Sequence, residues 1–252
     1  MTPGKRVIAN ADDLGRTAGV NRGIIEAHRR GIVTSASLMV GFPAVAEAAS
    51  LARENAELGV GLHLTLTDGV PSLSPQQVPD LVDDRGRFHL RPEALEGVPP
   101  AQIQEEARAQ LKRFRKLLGR DPTHFDSHHH AHRSPAVLEA VLTLAWETGL
   151  PVRQGSADLK QRLEHEGIPT TEGFVEEFHG EAATLEALLA ILFAVPVGTT
   201  EVMCHPGLVD DELRASSSYA DERRKELDVL VHREVRQAIQ AVGIKLIHYG
   251  EL

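Results

Sequence analysis

The sequence predicts an α/β fold, a (β/α) barrel of the TIM-barrel type, in a single domain over residues 1–252. Three observations carry this prediction. Short runs rich in β-branched residues alternate with longer segments of helical period, the pattern of parallel strands joined by helices. The length of 252 residues matches the ~250 that one such barrel uses. The polar residues fit for chemistry fall at the carboxyl ends of the predicted strands, where the loops of a barrel converge on one mouth.

Residues 5–10 are the first strand. Residues 16–30 follow as a helix, with Val20, Ile24 and Ala27 at i, i+4 and i+7 and Gly31 as its stop. Residues 33–40 and 43–57 repeat the pair. In residues 59–67, Val60, Leu62, Leu64 and Leu66 share one face while His63, Thr65 and Thr67 share the other, so the third strand carries a polar face that needs a purpose. Residues 68–99, rich in Pro, Gly and Asp and without period, are too long for an ordinary connection and read as a lid or substrate loop.

Residues 100–118 return to helical period through Ile103, Ala107, Leu111, Phe114 and Leu118. Residues 123–127 are a fourth strand, and Ser134-Pro135 opens a helix that runs to Gly149. Residues 151–154 give a fifth strand, 157–166 a weak helix, 174–178 a sixth strand, 184–195 a helix and 200–205 a seventh strand. One long helix is expected over 218–242, with Leu227, Leu230, Val231, Val235 and Ile239 on one side. That stripe suits the barrel wall or a homodimer interface equally. Residues 245–249 close as an eighth strand. No internal repeat or composition shift marks a linker.

Composition excludes several function classes. With 42% hydrophobic and 25% charged residues the chain has the balance of a globular protein, not of a disordered one. A formal net charge of −9 repels a phosphate backbone and disfavours nucleic acid as a partner. The lone cysteine, Cys204, rules out an intrachain disulfide and points to a reducing cytosol. The longest apolar stretch, around 187–197, is far short of the ~20 residues that span a bilayer. The start of the chain lacks the apolar core of a signal peptide, so a cytoplasmic location is expected.

Histidine is the unusual component, 13 residues against 4% aromatics. Five of them fall between Thr123 and His132. Neutral imidazole is the commonest ligand for borderline divalent metals, and this run is flanked by a strand and a capped helix, unlike a solvated tag. In an extended stretch His128 and His130 share a face; in a helix His128 and His132 do. Spacing leaves both pairs open. Asp12-Asp13 follows the first strand, and buried adjacent carboxylates bind a cation or force one pKa upward; alone, one of them is equally a helix cap. His63 sits on the polar face of strand three. His205 ends an apolar strand in the turn His205-Pro206-Gly207, within reach of the mouth as an acid. Cys204 points the opposite way and reads as core.

The motifs Asn10-Ala-Asp-Asp-Leu-Gly15, Gly31-Ile-Val-Thr-Ser35, Gly61-Leu-His-Leu64, Pro122-Thr-His-Phe-Asp-Ser-His-His-His130 and Glu201-Val-Met-Cys-His-Pro206, followed by Ser218-Tyr219, Arg223 and Glu226-Leu-Asp-Val-Leu230, resemble in order those of the YdjC-like (ChbG-type) carbohydrate deacetylases. The resemblance implies a distorted barrel related to polysaccharide deacetylases, one divalent metal ion at its mouth, and removal of an N-acetyl group from amino-sugar oligosaccharides. It implies Asp13, His63 and His128 as metal ligands, Asp12 as general base, His205 as general acid and Arg153 as the residue that orients Asp12. Leu14 stands where the family commonly has Phe, a difference of packing. Residues 71–100 and 155–174 match poorly and are where substrate choice is expected to be made.

The expected chemistry is metal-assisted amide hydrolysis with a bell-shaped pH profile, since base and acid need opposite protonation. Mg²⁺ and Zn²⁺ lead the candidate ions, with Mn²⁺ and Co²⁺ behind. Two His and one carboxylate also describe a non-haem iron oxygenase, but strand–helix alternation argues against the jelly-roll scaffold of those enzymes. Hydrolysis of another ester or a phosphoester, and a metal-bound sugar-binding protein without turnover, are the remaining alternatives.

Overall fold

The structure, a computed structural model, describes residues 4–252. Strands β1 (Lys5–Leu14), β2 (Ser35–Leu38), β3 (Gly59–Leu64), β4 (Phe125–Ser127), β5 (Gly173–Val175), β6 (Gly198–Cys204) and β7 (Lys245–Leu246) form one all-parallel sheet. Its order is β4-β3-β2-β1-β6-β5, with β7 paired to the start of β1. Strands β2, β3 and β4 are buried throughout, as expected when helices cover the outer face and side chains fill the inner one.

The helices are α1 (Ala18–Arg30), α2 (Val45–Glu54), α3 (Pro100–Leu118), α4 (Pro135–Thr148), α5 (Ala157–His165), α6 (Leu185–Ala194), α7 (Asp211–Ser216), α8 (Asp221–Leu230) and α9 (Arg233–Val242). Local chemistry sets their ends. The Thr17 hydroxyl accepts from the Val20 N–H to start α1. Gly119 and Gly149, both left-handed, terminate α3 and α4 where a side chain would be strained. The apolar stripe of α3, Ile103, Ala107, Leu111, Phe114 and Leu118, is buried in the core. No helix is long and apolar enough to cross a membrane among the described residues.

Four expectations need correction. Residues 151–154 form no strand: they touch β4 through one bridge, Phe125 to Val152. The Val152 N–H bonds the Pro169 carbonyl at 3.0 Å, so only isolated bonds lead across the gap between β4 and β5. The ring is therefore distorted, with seven strands in place of eight. The single helix expected over 218–242 is two, because His232 is extended (ψ 137) and caps α9. The apolar stripe continues across that break, which hides it from periodicity. Leu227 and Leu230 belong to the core, so α8 covers the barrel wall.

Residues 68–99 are not an open loop. Val78, Leu81, Phe88, Leu95 and Val98 are buried, and buried Glu106 of α3 accepts from the Ser72 and Leu73 N–H groups at 2.7 and 3.0 Å. Only the near end of this segment reaches the mouth: the Thr67 hydroxyl meets His129 Nδ1 at 3.1 Å, and Asp68 pairs with Arg16 at 2.9 Å.

Candidate active site

The site begins with a fault in β1. Pairing with β2 shifts register between Ala11 and Leu14, and Asp13 is left-handed (φ 70). Adjacent strand residues ordinarily face opposite ways, but this bulge directs both neighbouring carboxylates to the carboxyl end of the sheet. Asp12 lines a cavity of about 320 Å³ there, with His63, His128, His179 and His205. Asp13 borders a second of about 280 Å³, with Arg16, Tyr219 and Arg223.

The histidine cluster is shaped by a second irregularity. After β4 the chain makes a 3₁₀ segment, His128–Arg133, in which His129 (φ 53) and His130 (φ 50) are both left-handed. Non-glycine residues in this region are costly and concentrate at functional sites. Here the kink separates the imidazoles. His128 turns inward, its Nδ1 3.1 Å from Asp13 Oδ1. His130 turns to Glu176 at 3.3 Å, and His132 is buried on the Ser127 hydroxyl at 2.6 Å. Neither His130 nor His132 joins His128, which resolves the pairing that spacing left open.

His63 completes a group of three. Its Nε2 lies 3.5 Å from Asp13 Oδ1 and its Nδ1 lies 2.8 Å from Asp126. The donor atoms of Asp13, His63 and His128 all fall within 4.8 Å of one another. Asp13 Oδ1 is buried and has no hydrogen bond of normal geometry, although both imidazoles approach it. A buried carboxylate oxygen left without a partner between two imidazole nitrogens fits a cation. Asp12, His63 and Asp126 are also close, but both of those carboxylates already face the Arg153 guanidinium, which supplies the positive charge there.

Arg153, fully buried, ties the interior together. It donates to both oxygens of Asp12 at 2.7 Å, to Glu201 at 2.7 and 2.9 Å, and lies 3.0 Å from Asp126. Tyr249 donates to the far oxygen of Glu201, and Ser37 donates to Asp126 at 2.7 Å. Arg223 of α8 pairs with Asp13. Four carboxylates thus face two guanidinium groups, with His63 between Asp13 and Asp126.

Burial alone would raise the Asp12 pKa, but the charge and hydrogen bonds of Arg153 outweigh it and hold the carboxyl ionised. Asp13 is held well below the usual range, burial again opposed, here by Arg223 and His128. For His63, burial is overcome by Asp126 and Asp12, which push the imidazole up to about 10. His205 goes the other way: burial takes it down to about 3 despite the pull of Asp12.

Sequence reasoning assigned no role to Asp126, Glu201, Arg223 or Glu226. Two signals were present. Asp126 and His128 are two apart, the spacing of one strand face. Arg223 and Glu226 occupy i and i+3 of the stripe that continues with Leu227 and Leu230, so α8 places two charges where its apolar residues face inward.

Comparison with known proteins agrees with the fold. The chain is 43% identical to a carbohydrate deacetylase of Brevibacillus brevis, covering 98% of this chain and 99% of that one. It is 37% identical to a chitooligosaccharide deacetylase of Proteus mirabilis, covering 98% of each. A crystal structure from Enterococcus faecalis V583, of a protein named for cellobiose-phosphate cleavage, superposes with a TM-score of 0.93 at 37% identity, over 98% of both chains. A family 4 carbohydrate esterase from Streptomyces lividans, at 12% identity and a TM-score of 0.54 over 97% and 92% of the two chains, shares the fold. The family profile described as YdjC-like protein matches residues 6–241, and the chain belongs to that family.

Proposed function

We propose that the protein is a hydrolase that removes the N-acetyl group from amino-sugar oligosaccharides, using one divalent cation held by Asp13, His63 and His128. The names of the Brevibacillus and Proteus relatives support deacetylation of sugars. The observation that carries the mechanism is an ionised aspartate, Asp12, fixed by Arg153 beside an aspartate–histidine–histidine group at a cavity open to substrate.

When bound, the cation supplies an acidified water and a polarised acetyl carbonyl. Asp12 takes the proton of the attacking water, and the two Arg153 bonds aim its carboxylate for that step. Asp126 accepts the Nδ1 proton of His63 and so presents Nε2 as the donor atom. His205, which follows β6 next to the strand that carries Asp12, is the acid that protonates the departing sugar amine, a poor leaving group without a proton. Two imidazoles and one carboxylate suit Zn²⁺, Mn²⁺ or Co²⁺ better than Mg²⁺, which prefers oxygen and water. A cytoplasmic setting belongs to the same reading, supported by the lone buried cysteine.

The test is acetate release from N-acetylglucosamine oligosaccharides, plain and phosphorylated, by enzyme stripped of metal and reloaded with Zn²⁺, Mn²⁺, Co²⁺ or Mg²⁺. Metal-dependent acetate is the expected result. Silence from metal-loaded enzyme overturns the reading in favour of another hydrolysed bond or of sugar binding without turnover.

A further inference from the structure

One buried acid next to the cavity has no part in the scheme above. Glu226 of α8 is fully buried, and both of its oxygens are engaged: one accepts from the His205 backbone N–H, the other from the Tyr219 hydroxyl. Tyr219 is itself held, its oxygen accepting from the Gly180 N–H at 2.7 Å. The carboxyl therefore cannot swing away. His205 Nδ1 lies 3.9 Å from this carboxyl and is buried with no hydrogen-bond partner. The ring meets His179 and Tyr219 edge-on, with centroids at 5.4 and 5.7 Å, so aromatic neighbours restrict its rotation. Nδ1 faces the carboxyl, and Nε2 is the nitrogen left for the cavity that His205 lines.

We propose that Glu226 is the positioning and proton-supplying partner of His205, so that the acid of the reaction is a carboxyl–imidazole pair. The inference rests on the deacetylase reading and extends it. A gap of 3.9 Å is longer than a hydrogen bond, and such contacts commonly tighten when substrate closes a site.

Proton preference in the pair supports the geometry. Burial pushes Glu226 up to about 7, although the His205 N–H and Tyr219 favour its ionised form, and burial pushes His205 down to about 3. Other charges facing the pair are Asp12 and Asp13 on β1, Arg223 on α8, and His179. Near neutral pH the transferable proton therefore resides on the carboxyl. An imidazole alone with this preference has no spare proton. In the transfer the amide C–N bond breaks with its electron pair going to nitrogen, that nitrogen takes the Nε2 proton of His205, and Nδ1 takes the proton of Glu226. His205 ends neutral with its tautomer exchanged, Glu226 ends as carboxylate, and solvent returns the proton.

The experiment compares wild type with Glu226→Gln, metal-loaded, on an N-acetyl sugar and on 4-nitrophenyl acetate, whose leaving group needs no acid. The expected result is a loss of roughly 10²-fold in kcat on the sugar, little change in KM, an alkaline limb moved to lower pH, and an activity on the ester within a few-fold of wild type. Equal losses on both substrates, or a pH profile that does not move, overturn the proposal. If wild type hydrolyses neither substrate, the deacetylase reading fails separately, and ¹⁵N NMR of His205 decides the pairing: its tautomer balance shifts in Glu226→Gln if the pair exists and stays fixed if it does not. Should Glu226→Gln fail to fold, Tyr219→Phe, which loosens one anchor of the carboxyl, gives the same changes at smaller size or refutes the idea.

Discussion

Arg153 and Asp12 are bound two-to-two: two guanidinium nitrogens each donate at 2.7 Å to a different carboxylate oxygen, with both side chains buried at the wall of the cavity. The same guanidinium also answers Glu201 and Asp126, so its loss strands three buried negative charges. Replacing Arg153 by Ala is expected to cost on the order of 3–5 kcal/mol of stability, the cost of breaking a buried pair. Urea denaturation measures it; a loss under 1 kcal/mol would refute the central role.

Asp12→Asn keeps the shape and one of the two Arg153 bonds but cannot take a proton. Activity should fall by about 10²–10⁴-fold while bound metal, counted by atomic absorption, stays near one per chain. Near-normal activity at full metal loading would show that another group is the base.

The histidine cluster makes a sharp distinction between neighbours. His128→Ala should lose most of its metal, whereas His132→Ala, which removes a ring bonded to Ser127, should keep metal and lose stability instead. Calorimetric titration with Zn²⁺ separates the two. The reverse pattern would place the ion one turn further along the chain.

Asp126→Asn tests the support beneath a ligand. Asp126 touches His63 but not the cation in this scheme, and loss of such a partner typically weakens metal binding 10–100-fold. Unchanged affinity would mean that His63 is oriented by the fold alone.

Protons and metal compete for His63. Its folded pKa of about 10 stands above 6.5, so in metal-free protein its contribution to stability is full below pH 6.5 and is lost as pH rises through about 10. A cation replaces that proton and gains as the proton leaves. The difference in Tm between zinc-loaded and chelator-treated protein should therefore widen from pH 6 to pH 9. A constant difference would exclude His63 as a ligand.

The strands and helices were legible where each element speaks for itself. Alternation in 59–67 and the stops at Gly119 and Gly149 placed β3, α3 and α4 within a few residues. Two features escaped because their cause is tertiary. The break at His232 lies inside an unbroken apolar stripe, and residues 151–154 have a strand's composition without a partner of sufficient length. In the site, Asp12, Asp13, His63, His128 and His205 stood out as residue types in suggestive places, and the structure does bring them to one mouth. Their supports did not stand out, since Arg223 and Glu226 act through a helix more than 200 residues from Asp13, and only packing of α8 against the barrel joins them.

The pairing of β1 with both β6 and β7 has a consequence for how the protein is made. The strand bearing Asp12 and Asp13 is made well before its partner β6, which ends at Cys204, before α8, which carries Arg223 and Glu226, and before β7. Until those later elements are made, the Asp12 and Asp13 carboxylates lack the neighbouring strand and the Arg223 guanidinium that accompany them in the folded barrel. The order of synthesis therefore separates the carboxylates of the mouth from the groups that hold them, and the mouth takes its folded form only once the chain beyond Cys204 is in place.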